Sequence, residues 1–422
     1  VPDDHLKIGS DWFYPLHYSL NLEWKFIGYY IVGLAAFFML VALISGIWIH
    51  RRIFREFFTF RPAKRAQRKT PDIHNMSGVI ALPFHFFFAI TGLIIFASFF
   101  YFPVNSTMLK PLHELSEEIE ASHKGLPHDR AGIDADIASV DAMIADAKHR
   151  WSERGMPGEV GFLMVTHVGD LNSYVSIYRA GSDRVALVGE GIHYKAATGE
   201  LLREDPPHSF AEGAAEFLTG LHLQHFEHWF LRWLYVFGGL LGCVCIATGF
   251  IFYVEKRKSQ HARAGSQGSR LTDAFAVATV TGIVVAACAM LLSNRLIPTD
   301  TSGKGDWEKI VFCSVWGLTL LHALWRSSPV ARAMSNPAWR EQALTITVLA
   351  VAAVIANWLT TGDHLIKTLF TERYLAVAGT DISLLITAAI AWVSARKLAP
   401  KPDKSLTRNL STDTATREVG YE

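Results

Sequence analysis

The sequence predicts an all-α polytopic membrane protein of about seven spans, with a small α+β unit inserted between spans 2 and 3. Three observations predict it. Hydrophobic residues make up 50% of the 422 and charged residues only 19%, and the apolar ones gather in long, nearly uncharged blocks. One stretch, 103–228, interrupts those blocks with polar, helix-then-strand patterning. Lys and Arg crowd into alternate loops, as they do in membrane proteins.

The candidate spans are 27–49, 78–102, 229–254, 271–293, 309–326, 342–361 and 378–395. Each is near the ~20 residues that cross ~30 Å of hydrocarbon. The loops "HRRIFREFFTFRPAKRAQRK", "EKRKSQHARAGSQGSR" and "ARKLAPKPDKS" are densely basic, while "NRLIPTDTSGKGDWEK" and "TTGDHLIKTLFTERY" hold fewer Lys and Arg. By the positive-inside rule the N-terminus of this chain and residues 103–228 lie outside the cytoplasm, and the C-terminus inside. A chain that starts outside without a signal peptide is expected to have lost a span upstream.

This organisation divides the chain into 10–102 (two spans and a basic cytoplasmic loop), 103–228 (the external α+β unit) and 229–258 (a third span). A four-span extension at 271–396 and a cytoplasmic tail at 397–422 follow. In the external unit, Ile137, Val140, Ile144 and Ala147 form a helical stripe that predicts a helix near 134–154. Alternating segments predict strands near 160–168, 173–179 and 185–195, with turns at Gly169-Asp170 and Gly181-Ser182. His167 and His193 fall on this sheet and are expected at its surface.

Several chemistries find no support. The net charge of +1 is sorted by region, and topology accounts for the basic loops, so no nucleic-acid partner is implied. Cys243, Cys245, Cys288 and Cys313 all lie in apolar blocks, without metal-site spacing. The sequence has no HExxH, no phosphate loop and no recognisable Ser-His-Asp arrangement.

The histidines are the chemical signal. "PLHYSLNLEW" at 15–24 and "GLHLQHFEHW" at 220–229 each place Leu-His just before an apolar run. The runs end alike, in "ISG" and "ATG", and the second span also ends in "TG". His17 and His222 thus occupy equivalent outer positions, His50 closes the first span, His74 opens the second, and His85 lies within it. His74 and His85 are eleven residues apart, ~16 Å along nearly one helix face. Ionisable residues at membrane depth mark function by default. Neutral imidazoles on apolar helices, facing small residues, are what bis-imidazole haem ligation needs. Gly33, Gly46, Gly78, Gly92, Gly238, Gly239, Gly242 and Gly249 supply the small positions. The plain alternative is that interfacial histidines anchor helix ends and the glycines serve packing. His225 and His228 are expected to share a helix with His222, with His225 able to substitute as ligand. His322, deep in the extension, reads as structural.

At these residues the chain resembles the PepSY-associated transmembrane family, which includes iron-uptake factors and ferric-siderophore reductases of bacterial inner membranes. The matching stretches lie between residues 10 and 258, and "HYKAATGEL" is similar to the closing strand of a PepSY module. The resemblance implies a PepSY-like periplasmic domain at 103–228 and b-type haem, two groups in the intact protein. It implies ligand roles for His17 and His222 outside, and for His74 inside with His50 or His85. The family's first span, with its own histidine, has no counterpart here, which leaves the inner pair open. The expected function is a haem-bearing reductase that passes electrons to a periplasmic ferric siderophore or other ferric chelate, releasing iron for uptake. Its donor would be a quinol or a cytoplasmic reductase. The alternative is a non-catalytic transporter or sensor whose periplasmic module binds a partner.

Overall fold

The structure is a computed structural model, and it describes residues 12–22, 24–49, 66–96, 125–186, 191–205, 210–264, 268–298, 300–327 and 336–399. His50 and the start of the external unit (103–124) lie outside the described residues. The chain is mostly helical with one small antiparallel sheet, and it divides into two compact units.

The first unit comprises Tyr14–Phe60 and Asn75–Cys245. A short helix α1 (Phe13–Ser19) precedes α2 (Ile27–Ile49), followed by α3 (Ala66–Ile95). The α1–α2 turn is tight: Leu20, Asn21 and Phe26 take positive φ angles of 54°, 53° and 58°. A Cβ on Gly28 would run into the Ser19 carbonyl, so only glycine lets the two helices approach this closely. Helix α2 leaves Leu34, Phe38, Trp48 and Ile49 exposed, as a lipid-facing helix does.

The α+β unit follows. Helix α4 (Val140–Glu153) lies on a four-stranded meander, β1 (Val160–Thr166), β2 (Tyr174–Arg179), β3 (Gly191–Lys195) and β4 (Leu201–Glu204), paired in that order. Met143, Ala147 and Trp151 of α4 pack on Val175, Ile177, Ile192 and Tyr194. The helix starts six residues later than its apolar stripe suggests. Ser139 caps it by accepting the Ala142 N–H, and the preceding segment is drawn along the sheet by Ala135 N–H to Gly169 and Ala138 N–H to Ala196 bonds. Of the expected strand 185–195, residues 185 and 186 lie in a bend, 187–190 lie outside the described residues, and β3 covers Gly191–Lys195; β4 is a further strand beyond the expected three.

His193 is not at the surface: it is 3% exposed, bonded through Nδ1 to Ser176 Oγ at 2.7 Å and through Nε2 to Asp205 at 3.2 Å. The chain therefore does bring a serine, a histidine and an aspartate together. Ser176, at 1% exposure, is closed to any substrate, and the triplet ties β2 to the end of β4. His167 is partly exposed, with φ of 55°. Helices α5 (Phe210–Leu223) and α6 (Trp229–Arg263) follow, α6 running on past Cys245 into the second unit.

The second unit takes Val1–Phe13, Arg61–His74 and Ile246–Glu422. Its helices are α7 (Gly268–Val277), which passes through a π-helical turn (Ala278–Gly282) into α8 (Ile283–Leu296), then α9 (Lys304–Arg326), α10 (Pro337–Thr361) and α11 (Leu375–Lys397). Alanines let the helices pack closely: Ala350, Ala388 and Ala391 sit among Val285, Cys288 and Ile346. At the π turn, Trp316 Nε1 donates to the Ala278 carbonyl and Thr281 to Gln342.

Six helices among the described residues are long and apolar enough to cross a membrane: Ile27–Ile49, Pro71–Ile95, Trp229–Arg257, Arg270–Leu296, Pro337–Thr361 and Leu375–Lys397. The expected span at 309–326 is helical, as α9, but does not reach that level of hydropathy. Its first turns carry Lys304, Asp306, Glu308 and Lys309, and its last carries His322 and Arg326.

Candidate functional site

The repeated Leu-His motif becomes a repeated structure. His17 lies in the last turn of α1 and His222 in the last turn of α5. Each short helix is ended by a left-handed residue, Leu20 with Asn21 after the first and Gln224 (φ 57°) after the second. A membrane-length helix then begins, α2 after the first and α6 after the second. Gln224 also corrects one expectation. It terminates α5 one residue after Leu223, so His225 and His228 do not share a helix with His222; they fall in the turn before α6, both exposed.

The structure brings His17 and His222 together. Their ring centroids are 6.1 Å apart, with 35° between the ring planes. Two imidazoles bound to one iron through metal–nitrogen bonds of about 2.0–2.1 Å would hold their centroids roughly 6 Å apart. The pair has the separation that a bis-imidazole metal requires.

The His222 ring is oriented by α3. Its Nδ1 lies 2.9 Å from the hydroxyl of Thr91, a residue only 1% exposed. That hydroxyl donates its own proton to the Phe87 carbonyl at 2.6 Å. It must therefore accept from Nδ1–H, which leaves the Nε2 lone pair free for a metal. Gly92 makes the approach possible, since a Cβ there would stand 3.1 Å from His222 Cε1. Phe88 packs edge-on against the same ring at 6.1 Å, and Tyr235 against Phe88 at 5.2 Å. Burial first, and the neighbouring His17 second, hold the His222 imidazole below its usual pKa, so it is neutral at pH 7.

A second Thr-Gly pair repeats the arrangement. Thr248 Oγ1 lies 3.4 Å from His74 Nδ1, and a Cβ on Gly249 would stand 3.2 Å from His74 Cε1. His74 stands near the start of α3, and Thr91 and Gly92 near its end. Its candidate partner His50 lies outside the described residues. His85 is set differently: it hydrogen-bonds the Gly238 backbone and presses on α6, where a Cβ on Gly242 would meet Nε2 at 2.5 Å. His322 bonds Glu341 at 2.9 Å, and Glu341 also pairs with Arg326.

The sequence marks the "TG" endings as small positions, yet it does not reveal that the threonine fixes the imidazole tautomer. A signal was present: Thr91-Gly92 and Thr248-Gly249 are the same dipeptide at the ends of equivalent apolar runs. Gly46 and Gly239, by contrast, face open space, where an added Cβ would meet nothing within 4 Å.

An uncharacterized protein of Pseudomonas aeruginosa is 25% identical over 414 residues, covering 91% of this chain and 95% of that protein. The family description "PepSY-associated TM region" matches residues 4–256, which include both Leu-His motifs and both Thr-Gly cradles. The chain is a multi-pass membrane protein and belongs to the PepSY-associated transmembrane family.

Proposed function

We propose that the chain is a haem-bearing reductase of the bacterial inner membrane that delivers electrons to a ferric chelate, such as a ferric siderophore, on the periplasmic side. The observation that carries this reading is the His17–His222 pair, 6.1 Å between centroids, with one ring fixed by Thr91 and given space by Gly92. His17 and His222 would hold a b-type haem, and His74 in the second Thr-Gly cradle would hold another, with His50 or His85 as partner. When bound, haem supplies reversible one-electron exchange at iron. The protein's part is to present the imidazoles, fix the tautomer of His222 and surround the ligand with apolar side chains. Reduction to Fe(II) weakens the hard-oxygen ligation of hydroxamate or catecholate chelators, which frees the metal.

In this reading residues 103–228 are periplasmic, the C-terminus is cytoplasmic, and α9 crosses with the other helices, in keeping with the Lys and Arg distribution. A quinol or a cytoplasmic reductase donates the electrons. The test is the purified full-length chain. It should show a Soret band and a pyridine haemochrome, and His17→Ala and His222→Ala should each remove one haem while retaining the other. A colourless wild-type protein that binds no added haem would overturn the reading.

One observation favours the alternative of a non-catalytic transporter or sensor. The edge strand β1 exposes Phe162, Leu163 and Met164, a surface suited to a protein partner. The same haem measurement separates the two.

A further inference from the structure

The C-terminal unit holds a cavity, lined by buried polar side chains among apolar ones, that haem ligation does not use. Each of its four long helices contributes a buried polar side chain within about two turns of one end: Asn294 on α8, Glu308 on α9, Asn357 on α10 and Asp381 on α11. Such groups are costly at membrane depth and mark function by default. Asn294 and Glu308 satisfy one another at 2.7 Å. Asp381 does not fare as well: it is 3% exposed, and its one hydrogen bond among the described residues is a long one, 3.4 Å from Asn357 Nδ2. Arg295 acts on it through charge but does not hydrogen-bond it, so the buried carboxylate keeps hydrogen-bonding capacity for a further partner.

That carboxylate lines a cavity of about 440 Å³ together with Asn357, Asn294, Thr380 and Arg295, whose guanidinium makes no hydrogen bond among the described residues. The remaining wall is apolar, including Phe13, Leu291 and Leu384. A second, more open groove of about 450 Å³ adjoins it, sharing Leu291, Ala376, Thr380 and Leu384 and running along α11 to Thr387. Both are lined mostly by apolar side chains; the cavity adds the charged Asp381 and Arg295, and the groove adds only the hydroxyls of Thr380, Ser383 and Thr387. A mostly apolar chamber with charged groups at one place, continuing into an uncharged groove, describes an amphipathic, lipid-soluble ligand.

We propose that the cavity binds the headgroup of an isoprenoid quinone, with its tail in the groove between α8 and α11. The headgroup is a flat, neutral ring bearing oxygens on opposite edges. Arg295 and Asn357 offer donors to those oxygens, and Asp381 accepts a hydroxyl proton from the quinol form or, when protonated, donates to the quinone carbonyl. An anionic lipid headgroup fits less well, because Asp381 would face its charge. An organic cation fits less well because of Arg295. The site lies wholly within this unit and is independent of the haem ligands.

The test is photolabelling of the purified full-length chain in detergent with an arylazido-quinone, competed by decylubiquinone. Saturable labelling should map to 291–295 or 376–384. Thr380→Trp, at an exposed rim position that tolerates a larger side chain, and Asp381→Leu should each weaken decylubiquinone competition at least tenfold. Phosphatidylglycerol in mixed micelles should not compete. Labelling that is unsaturable or maps elsewhere would overturn the proposal, as would equal competition by phosphatidylglycerol. Unchanged affinity in Thr380→Trp would overturn it whether or not Asp381→Leu folds.

Discussion

Replacing Thr91 with Val keeps the shape of the side chain and removes the hydroxyl that orients His222. In the native chain that hydroxyl accepts from Nδ1–H at 2.9 Å and donates to the Phe87 carbonyl at 2.6 Å. The Phe87 carbonyl loses little, because it belongs to the α3 helix and keeps its backbone bond. The imidazole loses more: with Thr91 gone, a half-buried N–H faces a methyl group. An unsatisfied buried donor costs about 1–3 kcal/mol, which is roughly 5- to 150-fold in an equilibrium constant. Loss of the partner that orients a metal-binding histidine typically weakens metal affinity by about 10–100-fold. The two figures agree. The assay is haem transfer from the purified protein to excess apomyoglobin, followed in the Soret region, with Thr248→Val as the matched change beside His74. Thr91→Val should speed loss of one haem by one to two orders of magnitude, and a double-mutant cycle with His222→Ala should show the effects to be non-additive. If Thr91→Val released haem at the wild-type rate with an unaltered spectrum, Thr91 would not be setting the tautomer and the ligand assignment would lose its main support.

Other outcomes follow from different parts of the molecule. In a cysteine-free background, an impermeant thiol reagent applied from the periplasmic side should label Ser182→Cys and not Ala66→Cys; the reverse pattern would invert the topology. Trp151→Ala empties the centre of the α+β core, where Trp151 packs with Met143 and Tyr194, and should cost this unit about 3–5 kcal/mol. Amide exchange across 174–195 would report it, and unchanged protection would refute the packing described. The same unit should weaken in acid. The Arg150 hydrogen bond holds the Asp146 carboxyl below its usual range, and Arg179 does the same for Asp183. A depressed folded-state pKa gives stability that is complete above the unfolded value of about 3.9 and lost as pH falls through the folded value. Unfolding should therefore become easier below about pH 4, less steeply in Asp146→Asn; equal slopes would show that this pair contributes nothing.

The sequence by itself determined what depends on short-range pattern. Long uncharged runs can only be satisfied as helices in lipid, so six of the seven expected spans correspond to helices long and apolar enough to cross a membrane. The stripe of Val140, Ile144 and Ala147 and the alternation around Val175 and Ile177 were enough for one helix and two strands. Leu-His twice before an apolar run singled out His17 and His222. Tertiary structure decided what depends on distance between remote residues. Nothing in the spacing says that Thr91 meets His222, 131 positions away, or that Ser176, His193 and Asp205 form a buried chain. It also decided where helices stop. Gln224 has no turn-forming signature, yet its left-handed backbone ends α5 and sends His225 and His228 into the turn before α6. The cavity at Asp381 was least legible of all, because Asn357 and Asp381 are isolated polar residues in apolar text, while Asn294 and Glu308 sit among the polar residues of helix ends. Only the packing of four helices puts them at one end, where burial gives a carboxylate its need for a partner.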